Sequence, residues 1–129
     1  MRKREPHPEA LRNFENALLS ESKVRYPLRD PDKRKPFGAL GYGEESGNWE
    51  ELRDRIIEEL PHHPALLFAR TQWGENYRVD MLLAGPGCEK APVRTGWIYL
   101  LGEDFPRLTT LYVKTDEWRR MSKRGRIGS

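Results

Sequence analysis

The stretch from Glu75 to Lys114 limits what this chain can fold into more than any other, because apolar residues recur at alternate positions between turn signals. Tyr77, Val79, Met81 and Leu83 fall on one side of an extended segment, with Arg78 and Asp80 on the other. The turn-prone run Gly85-Pro86-Gly87-Cys88-Glu89-Lys90 leads into Val93 to Leu100, rich in β-branched and aromatic residues. Gly102 to Pro106 then leads into Arg107 to Val113. The result is a meander of three antiparallel strands. Leu66 to Gln72 reads as a further strand, followed by the turn residues Gly74-Glu75-Asn76. A slip of one residue would turn Val79 and Met81 to the wrong face, so burial is expected to hold the register.

Two amphipathic helices are expected before the strands. Leu11, Phe14 and Leu18 follow the i, i+3, i+7 spacing from Pro8 to about Glu21, which predicts a helix ending near Ser20 or Ser22. Asn48, with Glu51 three residues on, forms a capping-box signature for a second helix. Trp49, Leu52, Ile56 and Leu60 make its apolar stripe, and Pro61 ends it. Between them, Val24 to Gly47 is expected to be a long loop, broken by three prolines and four glycines. One short helical turn is expected at Asp116-Glu117-Trp118. The fold class is therefore α+β: two N-terminal amphipathic helices packed on a three- to four-stranded antiparallel β-meander. The 129 residues suit a single domain, with an ordered core over 8–114 and basic ends at 1–7 and 119–129.

Charge is unevenly placed. Residues 1–35 carry ten Lys or Arg against six Asp or Glu, and residues 114–129 six against two, whereas residues 36–60 carry two against seven. Basic ends of this kind suit nucleic-acid contact, and Lys123, Arg124 and Arg126 are candidates for it. The basic start Met1 to Pro6 is followed by no apolar core, so a secretory signal is not expected and residence in the cytoplasm is. No apolar run is long enough to cross a bilayer, so no membrane partner is expected. The single cysteine, Cys88, excludes an internal disulfide and reads as a passive exposed thiol.

Several motifs carry less than they suggest. Gly38 to Gly43 is glycine-rich but lacks the preceding strand and the Lys-Ser/Thr of a phosphate loop. Adjacent His62 and His63 lack the spacing that aims two rings at one metal, and adjacent Glu58 and Glu59 diverge by about 100° on a helix and read as a solvated face. No metal ligand set and no cofactor is expected.

The residues from roughly Ala10 to Val113 resemble a small bacterial group, the domain of unknown function 6883 family. The likeness is carried by Ala17-Leu18-Leu19, Ser22-Lys23, Gly41-Tyr42, Trp49-Glu50-Glu51-Leu52, Gly74 to Val79, Gly85-Pro86, Val93 to Trp97 and Gly102 to Tyr112. The sequence departs from the pattern at Val24, Tyr26-Pro27 and Val113, and Arg29 to Phe37 looks like an insertion. The order of elements, ending in Thr-x-Tyr, is also similar to the barnase, EndoU, colicin and RelE group of ribonuclease toxins. That second likeness concerns fold, which does not by itself imply activity.

The ribonuclease likeness implies cleavage of RNA without a metal, by groups drawn from the first helix and an exposed sheet face. Such chemistry needs a proton acceptor, a proton donor and cations around the developing phosphorane. Lys23, Arg94, Thr110 and Tyr112 are the candidate catalytic residues, with Arg25 and Arg107 as candidate RNA contacts. Thr110 and Tyr112 share a strand face, while Arg107 points to the other unless a bulge intervenes. The competing expectation is a non-enzymatic adaptor, one partner of a two-gene module, binding a cognate small protein. It would use the acidic helix face or the meander edge, with Trp73, Trp97 and Trp118 as anchors if exposed.

Overall fold

The structure is a computed structural model that describes residues 4–127, with side chains as far as Ser122. Four strands form one antiparallel sheet in the order β1-β2-β3-β4: β1 Ala65–Thr71, β2 Gly74–Ala84, β3 Lys90–Leu100 and β4 Arg107–Val113. The meander and the extra strand therefore stand as expected. Alternation does what the sequence predicts: Val79, Met81 and Leu83 of β2, Val93, Thr95, Trp97 and Tyr99 of β3, and Leu108, Leu111 and Val113 of β4 are all buried on the inner face. Helical residues Val24, Leu28, Phe37, Leu40, Leu52 and Ile56 complete the same core. The outer face bears Arg78, Asp80, Arg94, Ile98 and Tyr112, none of them buried.

The centre of that core is specified by a polar relay. Trp97 is fully buried, and its indole N–H donates to Thr95 Oγ1 at 2.8 Å while the Thr95 hydroxyl donates to the Val79 carbonyl at 2.8 Å. A valine at Thr95 would strand the indole N–H, a loss on the order of 1–3 kcal/mol. Tyr99 is anchored similarly, its hydroxyl donating to the Arg12 carbonyl at 2.6 Å, and burial pushes its phenol up to about 12.

The helices differ from expectation in four places. Residues from Pro8 to Ser20 do not form an α-helix. Asn13 is left-handed at φ 58°, Phe14–Asn16 make a single 3-10 turn, and Leu18 lies extended beside β4. Leu18 N–H donates to the Pro106 carbonyl and Leu108 N–H to the Leu18 carbonyl, both at 2.9 Å. The free edge of β4 satisfies this backbone, while Leu11 is buried and Phe14 and Leu19 pack against the core without helical spacing. Ser20, expected near a helix end, is instead the N-cap of the first helix, α1 (Glu21–Arg29).

The expected loop from Val24 to Gly47 holds most of α1 and all of α2 (Arg34–Leu40). Pro27 sits inside α1 and cannot bond the Lys23 carbonyl, a defect of about 3 kcal/mol in an isolated helix. Burial of Val24, Pro27 and Leu28 on one stripe outweighs it. Pro36 costs nothing because it falls in the first turn of α2. That helix ends at Gly41, left-handed at φ 111°, where an added Cβ would lie 2.9 Å from Pro86 Cδ.

The third helix, α3 (Trp49–Glu59), appears where its stripe predicts, followed by a 3-10 turn over Leu60–His62. Asn48 precedes it without the expected side-chain cap: its amide accepts from Gly43 N–H at 3.1 Å and donates to the Gly41 carbonyl at 2.9 Å. The last helix, α4 (Thr115–Ile127), is longer than the single turn expected, because Trp118 packs against the core and pins its start. Among the described residues no helix is long and apolar enough to cross a membrane.

Candidate functional site

The strand β4 contains the irregularity that organises the surface. Gly96 pairs with Thr110 and Trp97 with Leu108, leaving Thr109 as an extra residue. This bulge is the condition under which Arg107 shares a face with Thr110 and Tyr112, and it is met: Arg107 pairs with Ile98 and Tyr112 with Arg94. Gly96 permits the arrangement, since a Cβ there would stand 2.6 Å from Thr110 Cγ2 and 3.0 Å from Thr109 Oγ1.

Leu18 covers the start of β4, and the chain then turns at Ser20 into α1. Beside Thr109, Thr110 and Leu111 the strand edge faces α1 across an open cleft of about 280 Å³, also lined by Ser22, Lys23, Tyr26, Pro27 and Lys33. Two predicted site residues, Lys23 and Thr110, thus meet from distant parts of the sequence. Lys33 reaches round the edge, its Nζ 5.4 Å from the Tyr26 ring centroid and 5.9 Å from that of Tyr112. Among the described residues neither Lys23 nor Lys33 makes an ion pair. The Tyr26 hydroxyl donates to Asp30 Oδ1 at 3.1 Å, and that hydrogen bond, with the carboxylate's charge, pushes the phenol above its ordinary range.

The other predicted residues are engaged elsewhere. Arg94 donates to both oxygens of Asp80, at 2.8 and 2.9 Å, and Lys114 adds a contact at 3.3 Å. The Arg94 hydrogen bond, reinforced by Lys114 and opposed by burial, holds the Asp80 carboxyl below its usual range. Asp80 in turn raises the Arg94 guanidinium, with Tyr112 adding a smaller push. Arg25 is committed to Glu44 and, at 3.3 Å, to Glu21. Arg107 forms a two-pronged pair with Glu103 at 2.7 and 2.8 Å, at the far end of β4. The side chains of Lys123, Arg124 and Arg126 lie outside the described residues.

Tyr26 and Lys33 were hidden by the loop expected over 24–47. The signal was present in the i, i+3, i+4 spacing of Val24, Pro27 and Leu28 behind a serine cap, masked by the proline. Lys33 falls in the segment that reads as an insertion. A second correction concerns Glu59, which is not part of a solvated face. Its carboxylate accepts from Arg4 at 2.8 Å and sits 3.0 Å from His63 Nε2; burial opposes its ionisation, but these hydrogen bonds prevail and hold it below its usual range. Of the three tryptophans expected as anchors, Trp73 is 67% exposed, Trp97 is fully buried and Trp118 is half-buried. Among the described residues no three His, Cys, Asp or Glu side chains cluster as a metal site.

No curated protein and no solved structure matches the chain. A family match does, spanning residues 10–115 and so taking in α1, the whole sheet and the cleft between them. On that extent the chain belongs to the family described as Domain of unknown function (DUF6883).

Proposed function

We propose that this domain binds RNA at the cleft between α1 and β4 and cleaves it by metal-independent transesterification. The observation that carries the reading is the convergence of Lys23, Lys33 and Thr110 on one open cleft, with no carboxylate among its lining residues. At about 280 Å³ it falls just under the usual range for enclosed small-molecule pockets, about 300–1,000 Å³, and suits one unit of an extended polymer. In the reaction the 2′-oxygen bonds to the adjacent phosphorus and the phosphorus–5′-oxygen bond breaks. Hydroxide takes the 2′ proton and becomes water, and the leaving 5′-oxygen takes a proton from water and regenerates hydroxide, giving a 2′,3′-cyclic phosphate and a 5′-hydroxyl.

The roles follow from chemistry. Lys23 and Lys33 neutralise the charge that grows on the phosphorane, and Thr110 donates to a non-bridging oxygen; one such donor is worth about 10²- to 10³-fold in rate. Tyr26, its hydroxyl proton committed to Asp30, offers its ring to the bound strand. Arg94, paired with Asp80, takes no direct part. The cleft lining contains no histidine or carboxylate to act as a base, so hydroxide supplies that role and the rate climbs with pH through the neutral range.

The test is incubation of the full chain with total RNA at low salt with a chelator, between pH 7 and 9. Cleavage to cyclic-phosphate ends that falls at least 100-fold in Lys23→Ala and Thr110→Ala, and less in Tyr112→Phe, is expected. An inert wild type, or cleavage indifferent to these changes, overturns the reading.

Protein binding is a second reading, favoured by exposed apolar residues away from the cleft. Trp73 and Leu101 are 67% and 74% exposed and adjoin at one end of the sheet, with Leu66 and Phe68 exposed along β1. A co-expressed partner lost on Trp73→Ser, together with inertness toward RNA, would favour the adaptor.

A further inference from the structure

Tyr26, 56% exposed and absent from the core, has no packing duty, yet its ring is held in place by the hydroxyl bond to Asp30 one helical turn on. Tyr112 stands on the outer face opposite Arg94. The Lys33 ammonium lies near both rings, 5.4 Å from the Tyr26 centroid and 5.9 Å from that of Tyr112. An ammonium over an exposed ring in water is weakly held, and a phosphate is a stronger partner for it. When the phosphate of a bound strand draws Lys33 away, a ring face is uncovered beside that phosphate. A ring face that the ammonium leaves is apolar, which suits the flat face of an unpaired base.

We infer that Tyr26, Lys33 and Tyr112 form a nucleotide subsite that restricts the ligand of the cleft to single-stranded RNA. A base stacks on Tyr26, the more exposed ring, with Tyr112 as a second platform, while Lys33 and Lys23 take the neighbouring phosphate. A duplex keeps its bases stacked on one another and offers nothing to the rings. The inference rests on the RNA reading above and adds the strand form and the residues that select it. The signal for it is the pairing of exposed aromatic faces with a cation that meets no carboxylate among the described residues.

The experiment is fluorescence anisotropy of end-labelled oligouridylate, oligoadenylate and a blunt RNA duplex of equal length, with the full chain, across a salt series. The single strands bind at least tenfold tighter than the duplex. Tyr26→Ala weakens single-strand binding five- to fiftyfold and leaves its salt slope unchanged, whereas Tyr26→Phe, which keeps a stacking ring but loses the bond to Asp30, recovers only part of that loss. Lys33→Ala lowers the salt slope by about one. Equal binding of the duplex, or a neutral Tyr26→Ala beside a costly Lys33→Ala, overturns the stacking subsite while leaving RNA binding intact. No binding of either form by the wild type overturns the RNA reading itself.

Discussion

Two basic regions sit near the outer face of the sheet, and they differ in what they face. In the middle, Arg94 and Lys114 converge on Asp80, and Lys114 also meets Glu117 at 2.6 Å. At the β4 edge, Lys23 and Lys33 face hydroxyls, aromatic rings and the open cleft. The first region spends its charge on its own strands. The second has charge to give to a ligand. Pairing, more than the number of basic residues, separates a stabilising surface from a candidate site.

The sharpest way to break this comparison is Gly96→Ala, because Gly96 lies between the two regions. Its methyl would meet Thr110 Cγ2 at 2.6 Å, a short branched side chain with little room to move. Expelling it would disturb the bulge at a cost of about 1–3 kcal/mol, measurable by urea unfolding. Cleft activity should fall with it. An unchanged fold and unchanged RNA cleavage would show that Thr110 is not seated by this contact.

Next in size is Arg94→Ala, which leaves Asp80 with Lys114 alone. Both side chains are partly exposed, at 25% and 42%, so screening limits the loss to roughly 1 kcal/mol. RNA affinity should stay within twofold. If affinity instead drops as far as in Lys23→Ala while stability is kept, the central row belongs to the binding surface and the distinction drawn here fails.

A smaller effect is expected from acid. The Asp80 carboxyl is depressed in the folded chain, chiefly by its hydrogen bonds from Arg94. Its contribution is therefore complete above the ordinary aspartate range, about 3.9, and is lost as pH falls through the lower folded value. Asp80→Asn should lower stability at pH 7 and flatten its decline below about pH 4. Urea midpoints that run parallel for the two proteins down to pH 2 would show that Asp80 is not what couples this face to acid.

What the sequence revealed about this face follows from the kinds of signal involved. The sheet was legible because alternation at Val79, Met81 and Leu83 is a local pattern that burial enforces. So was α3, from its stripe and the proline after it. The segment around Leu18 was not, because its backbone partners, Pro106 and Leu108, lie far away in sequence. Nor was α1, where Pro27 reads as a break and only tertiary burial shows otherwise. Half of the candidate site was within reach: Lys23 and Thr110 are juxtaposed, while Arg94 and Arg25 bind carboxylates whose proximity only the fold creates. Lys33 enters through a turn between two helices that was expected to be one loop.

The smallest predicted effect discriminates best. Removing Lys23 and Lys33 together, as alanines, should change unfolding free energy by no more than about 0.5 kcal/mol each, the range for surface positions without special partners. Lys33 contributes only its weak attraction to two rings, and Lys23 makes no ion pair among the described residues to lose. Had these lysines been structural, as Arg94 is, the double variant would unfold clearly earlier in urea. A chain that keeps its midpoint yet loses RNA binding has carried two cations at its surface for a partner outside itself. A chain that loses its midpoint has used them as it uses Arg94, and the two regions are then alike.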